Sequence, residues 1–329
     1  MSVAARTASP VDFDEFGPYL PKNRAGQPLQ RADPAFRDRI TADGSSGFRA
    51  EPQRYHLYAA APCPFSHRST IVLRLRGLTD VVSISLVDPI RDGRGWAFRA
   101  GEGHGPDEVN GFAFLSEAYE ATDPEYDSHV SVPVLWDRRT GRIVCNDYRV
   151  LSTDLATAFD EWATDDGDLY PADLRTEIDE LHDFLYTRVH DGPYRCGFAP
   201  SQEAYEREVR DLFEALDQLD ARLARQRYLF GDRLTEADVR LWVTLARFDA
   251  VYATHFKANL RRIVDYPHLW AYARDLYQRP AFRESTDFAQ IKRHYFVTHP
   301  WLNPTRIVPA GPDLDWTAPH TRAALTGGR

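Results

Sequence analysis

A chain of 329 residues, 43% of them hydrophobic, is longer than one ordinary domain and apolar enough to build two cores. Its formal net charge of −9 leaves no basic footprint for nucleic acid or an anionic membrane surface. No apolar run reaches the length of a membrane-spanning helix, and the opening MSVAARTASP has no apolar stretch before a cleavage site, so a cytoplasmic protein is expected.

In chain order, residues 1–50 are rich in Pro, Gly and Ser and show little periodicity, so they read as an extended arm. Arg54 to Ala60 reads as a strand, Pro62-Cys63-Pro64 as a turn, and Ser66 to Arg76 as a helix that Gly77 stops. Val82, Ile84 and Leu86 alternate with Ser83 and Ser85 as a second strand. Asp88 to Asp127 is too long for an ordinary connection, so it should hold a functional loop as well as a helix. Ser131 to Asp137 then forms a strand that turns through Arg-Arg-Thr-Gly into Arg142–Cys145 as a hairpin. Asp147 is placed to cap the next helix, on which Tyr148, Leu151 and Leu155 share a face. This order predicts an α/β thioredoxin-like domain over residues 51–162.

Asp165, Asp166, Gly167, Asp168 and Pro171 mark a polar linker, beyond which an all-α domain is expected over 170–298. Leu174–Val189 and Gln202–Arg225 are amphipathic, and Thr235-Glu236-Ala237-Asp238 carries a capping-box signature. The tail, 299–329, reads as an irregular strap.

Cys63 sits where a strand turns into a helix, and the unpaired amides and dipole of that helix end favour a thiolate. Ser66 stands where a redox dithiol would carry its second cysteine, so an external thiol must resolve any mixed disulfide. Cys145 and Cys196 read as packing residues; none of the three cysteines forms a CxxC pair, and no metal site is expected. A cis Val132-Pro133 step would expose the Val132 backbone to an extended, peptide-like thiol.

Together, RYHLY, CPFSHR, Gly95-Trp96, SVPVLWD, LTEADVRLW, RFDAVYATHFK, IKRHYF and NPTRIVPAGP resemble the glutathionyl-hydroquinone reductases, the Xi class of the glutathione transferase superfamily. The resemblance runs from about residue 28 to 312. It implies a glutathione transferase fold, a thioredoxin-like thiol-binding domain joined to an all-helical domain, in a homodimer. Cys63 aligns with the family's catalytic cysteine, Trp96 with a tryptophan that packs on the bound thiol, and Tyr194, Tyr252 and Tyr295 with tyrosines lining the hydroquinone pocket.

Three departures bear on the thiol. The family has Trp-Ala where this chain has Phe65-Ser66, a Lys or Arg at His129, and Glu-Ser at Asp147-Tyr148. The last two touch glutathione recognition, so mycothiol stands beside glutathione as an expected co-substrate, given an arginine-over-lysine skew that fits a GC-rich genome. The thiol-binding set is Trp96, His129, Val132, Pro133, Asp147 and Tyr148. The competing readings are a transferase that conjugates electrophiles and a non-catalytic binding module of the same fold.

Overall fold

The computed structural model describes residues 6–20, 31–164 and 167–326. Within these, two compact units separate: 6–20, 31–164, Gly167 and 289–299 in the first, 168–288 and 300–326 in the second. Asp165 and Asp166 of the expected linker lie outside the described residues, as do 1–5 and 21–30 of the expected arm.

In the first unit, β1 (Tyr55–Ala59), α1 (Pro64–Leu75) and β2 (Ser83–Leu86) form the parallel βαβ half of the expected fold. Gly77 ends this stretch with φ 64°, a left-handed turn that suits a residue without a Cβ. After α2 (Ser116–Thr122), the hairpin β3 (Val134–Asp137) and β4 (Arg142–Cys145) completes a sheet of order β2-β1-β3-β4, with β3 antiparallel to β1. Helix α3 (Leu151–Thr157) packs against α1. Tyr58, Phe98, Leu115, Tyr119, Val134, Trp136 and Ile143 fill the core on the α2 face. The loop Asp88–Leu115 is therefore structural as well as long: it delivers Trp96 and Phe98 to that core.

Residues 6–20 and 31–50 are more ordered than an arm suggests. They carry a one-turn helix, Phe13–Phe16, and a short parallel pair, Ile40–Thr41 with Phe48–Arg49.

His56, opposite Trp136 in the sheet, is buried with its Nδ1 2.6 Å from the Ser83 hydroxyl. Burial, aided by the Arg138 charge, lowers its pKa to about 3. An unfolded chain protonates this imidazole below about pH 6.5, while the folded one resists until far lower, so the fold loses stability as pH falls through that window. At pH 5 the loss from this residue is on the order of 2 kcal/mol. Urea midpoints should drop between pH 7 and pH 5, and drop less in His56→Gln; equal drops would remove His56 as the cause.

The second unit is helical: α4 (Arg175–Phe184), α5 (Gly192–Gly197), α6 (Gln202–Leu223), α7 (Glu236–Arg247) and α8 (Pro267–Tyr277). The capping box opens α7, where the buried Asp238 carboxylate accepts the Thr235 amide at 2.8 Å and the Thr235 hydroxyl at 3.0 Å. It also accepts the Leu229 amide and the Tyr272 hydroxyl, each at 2.8 Å, so one side chain ties α7 to α8 and to the preceding turn. The tail is held by Trp316, whose ring meets Trp242, Trp270, Tyr277 and Phe288, and by buried Arg322. The Arg322 guanidinium donates to the carbonyls of Leu223, the last residue of α6, and of Gln226 and Arg227 just past it.

Candidate active site

Cys63 is the N-cap of α1, extended at φ −75° and ψ 121°, with Pro64 in the first helical position. Proline there costs nothing, because that amide has no partner inside the helix. The Cys63 side chain is half-buried against the α2-face core, and its thiol donates to the Val132 carbonyl at 3.6 Å. The Val132-Pro133 peptide is cis, as the sequence suggested. Cys63, Val132 and Pro133 thus meet at one point on the sheet.

The other two thiols have a different character. Burial pushes Cys145 and Cys196 each up to about 12, leaving them protonated and packed at neutral pH.

Asp147 does not cap α3, whose N-cap is Val150 with no side-chain hydrogen bond. The carboxylate turns back instead, accepting the Arg149 amide at 3.0 Å and clasping its guanidinium at 2.8 and 2.7 Å. Burial opposes ionisation of Asp147, but these bonds outweigh it and hold the carboxyl below its usual range. Sequence reasoning missed Arg149, although an Asp two residues before an Arg is a recognisable turn signal.

Next to this ion pair, Tyr148 stacks on Phe65 with ring centres 4.3 Å apart. The Arg68 guanidinium donates to the Tyr148 carbonyl, and Arg31 and Arg68 lie 4.9 and 5.1 Å from the Phe65 ring centre. The corner past Cys63 therefore presents two rings and several guanidinium groups, with the Asp147 carboxylate already paired.

On the other flank, Trp96 is buried and stacks on His294 at 5.3 Å, while the His294 Nδ1–H donates to the Pro89 carbonyl at 2.6 Å. Tyr295 meets the rings of His294 and His299 at 5.3 and 5.7 Å. His129 has its Nδ1 2.7 Å from the Tyr19 hydroxyl. In the second unit, Tyr194 and Tyr252 lie 5.7 Å apart, and both pack on Phe256. The three expected pocket tyrosines are thus divided between the units, Tyr295 in the first and the other two in the second.

Comparison with known proteins places this geometry. Residues 62–158 match the glutathione S-transferase N-terminal domain and residues 202–275 the C-terminal domain. The chain is 44% identical over 316 residues to the glutathionyl-hydroquinone reductase YqjG of Escherichia coli, an overlap of 94% of this chain and 96% of that protein. It is 45% identical over 267 residues to PcpF of Sphingobium chlorophenolicum, a protein of the same name, covering 81% and 85% of the two. A Xi-class glutathione transferase from Natrialba magadii superposes with a TM-score of 0.86 at 44% identity, covering 88% of this chain and 89% of the other. The chain belongs to the glutathionyl-hydroquinone reductases, the Xi class of glutathione transferases. Glutathione-bound YqjG also superposes with a TM-score of 0.86, over 88% of this chain and 96% of the other.

The Asp147–Arg149 clasp and the Tyr148–Phe65 stack involve the residues at which the sequence reading expects departures from the family pattern. Cys63 sits on the helix end the sequence predicted.

Proposed function

We propose that the chain reduces S-glutathionyl-hydroquinones, with Cys63 as nucleophile. The observation that carries the reading is the Cys63 thiol at the start of α1, beside the backbone of Val132 at a cis proline, in a chain 44% identical to a glutathionyl-hydroquinone reductase. The Cys63 thiolate attacks the conjugate sulfur, the carbon–sulfur bond breaks, and the electron pair stays on the aromatic carbon. A proton added to that carbon gives the free hydroquinone. A second thiol attacks the Cys63–glutathione mixed disulfide, restoring the Cys63 thiolate and leaving as a disulfide with glutathione. Tyr194, Tyr252 and Tyr295 supply rings to pack the hydroquinone and phenol groups to bond its oxygens or deliver the proton.

In this reading the thiol lies along Val132-Pro133 with Trp96, His129, Asp147 and Tyr148 at its ends. It works in the cytoplasm as a homodimer, which light scattering of the purified protein tests. The deciding assay compares turnover of S-glutathionyl-menadiol with conjugation of 1-chloro-2,4-dinitrobenzene. Turnover of the first and neglect of the second is expected; the reverse would make the protein a conjugating transferase.

One observation favours mycothiol as an alternative resolving thiol. Asp147 is clasped by Arg149, which weakens it as a partner for a γ-glutamyl ammonium group, and the Tyr148 ring beside it offers an apolar face on which a sugar can pack. Resolution rates of the Cys63 mixed disulfide with each thiol separate the two, and saturation by glutathione at millimolar concentration would end the mycothiol reading.

A further inference from the structure

Helix α1 carries three hydroxyl side chains, and two of them bond within the helix. Ser69 Oγ donates to the Phe65 carbonyl at 3.3 Å and Thr70 Oγ1 to the His67 carbonyl at 2.8 Å, the bonds back to the preceding turn that hydroxyls make inside helices. Ser66 does not follow them. Its side chain is fully buried, and its hydroxyl has no hydrogen-bond partner among the described residues. An unmatched hydroxyl in the interior lowers stability, so its retention calls for an explanation in function.

The position of Ser66 supplies one. Cys63 is the N-cap of α1, with Pro64 first in the helix, so Ser66 stands at N3. Side chains at these two positions face each other across the first turn, as they do in a capping box, and the same spacing lets a dithiol site close its disulfide. Here the N-cap side chain is a thiol that makes no cap bond. It donates instead to the Val132 carbonyl at 3.6 Å, a bond that lasts only while sulfur keeps its proton. A thiolate and a carbonyl oxygen are both acceptors and repel, so ionisation, with the proton passing to water, turns the sulfur from Val132 toward donors. Pro64 and Phe65 carry no side-chain donor; Ser66 is the first that the turn provides.

We infer that Ser66 is a positioning residue for the nucleophile: its hydroxyl donates to the Cys63 thiolate, holds the sulfur at the helix end, and is left without a partner when the thiol is protonated. The inference rests on Cys63 as the nucleophile proposed above. The bond forms twice in each turnover, before attack on the conjugate sulfur and again when Cys63 leaves the mixed disulfide as a thiolate. The titratable and charged groups about α1 include its own His67 and Arg68, Arg31 over the Phe65 ring, the Asp147–Arg149 pair, and, on the elements packed against the helix, Asp154 of α3 and Tyr55 of β1. A change confined to Ser66 leaves all of these in place, so an altered titration of Cys63 reports the hydroxyl.

The test is the pH profile of alkylation by iodoacetamide, with adducts located by mass spectrometry, for the full-length unaltered protein, Ser66→Ala and Ser66→Cys. Loss of the bond to the thiolate should move the midpoint of Cys63 alkylation to higher pH by about one unit in Ser66→Ala, so that the rate below both midpoints falls about tenfold. The melting temperature should hold or rise, because the variant loses a buried hydroxyl that the protonated site leaves unmatched. An unmoved midpoint in Ser66→Ala overturns the inference. Ser66→Cys tests the geometry separately: treated with diamide, it should close a disulfide between positions 63 and 66, seen as resistance of Cys63 to alkylation until dithiothreitol is added. Failure to close it would mean that the two side chains do not meet, and the inference falls. Turnover of S-glutathionyl-menadiol is followed alongside; a shifted profile in Ser66→Ala with no turnover by the unaltered protein would remove the reductase reading and leave the role of Ser66 standing.

Discussion

Cys63→Ser should lower kcat/KM for S-glutathionyl-menadiol by about three orders of magnitude or more, because a hydroxyl at this position is a far poorer attacker of sulfur than a thiolate. Folding should be unaffected. The Cys63 thiol donates to the Val132 carbonyl at 3.6 Å, a bond that a serine hydroxyl can also make. Circular dichroism and melting temperature should match the unaltered protein. Cys145→Ser and Cys196→Ser should keep activity, since burial holds both thiols protonated. Mass spectrometry after exposure to glutathione disulfide gives a second readout: a single adduct, lost in Cys63→Ser. An active Cys63→Ser protein would overturn the mechanism and return the chain to the binding-module reading.

The largest stability effect is expected at Asp238. Removing its carboxylate in Asp238→Ala strips partners from the Leu229 and Thr235 amides and from the Thr235 and Tyr272 hydroxyls, all in the interior of the helical unit. Leaving buried donors unmatched costs about 1–3 kcal/mol each before relaxation, so a net loss of about 3–5 kcal/mol is expected. Chemical denaturation should show a midpoint shifted well to lower urea. Asp238→Asn retains one acceptor oxygen and should lose less. If Asp238→Ala unfolded at the same urea concentration as the parent, the carboxylate would have no structural role.

The thioredoxin-like order was legible because each element announces itself locally. Gly77 marks the end of α1, the alternation of Val82, Ile84 and Leu86 marks β2, and Arg-Arg-Thr-Gly marks the hairpin. The place of Cys63 could be read for the same reason, since a Pro-Cys-Pro turn between a strand and a helix fixes a helix N-terminus. Asp147 shows where this reasoning fails. Its spacing to α3 suits a cap, but Arg149, two residues on, competes for the carboxylate with a charge-assisted pair, which is stronger than a neutral cap. The contact of Tyr19 with Arg91 beside Trp96 could not be found from sequence at all, because it joins residues 72 apart in the chain through backbone bonds that carry no side-chain signature. The same holds for Tyr295: helical periodicity identifies a helix, but does not say that Ala289–His299 groups with the first unit.

Arg322 has a consequence for the time course of synthesis. The carbonyls it satisfies, beginning at Leu223, precede it by about a hundred residues, and the ring of Trp316 likewise reaches back to Trp242. At ribosomal speeds of about 5–20 residues per second, several seconds separate the emergence of α6 from the arrival of its terminal partner. The helical unit therefore has to finish assembling after most of the chain has left the ribosome, whereas the sheet of the first unit has all its strands by residue 145.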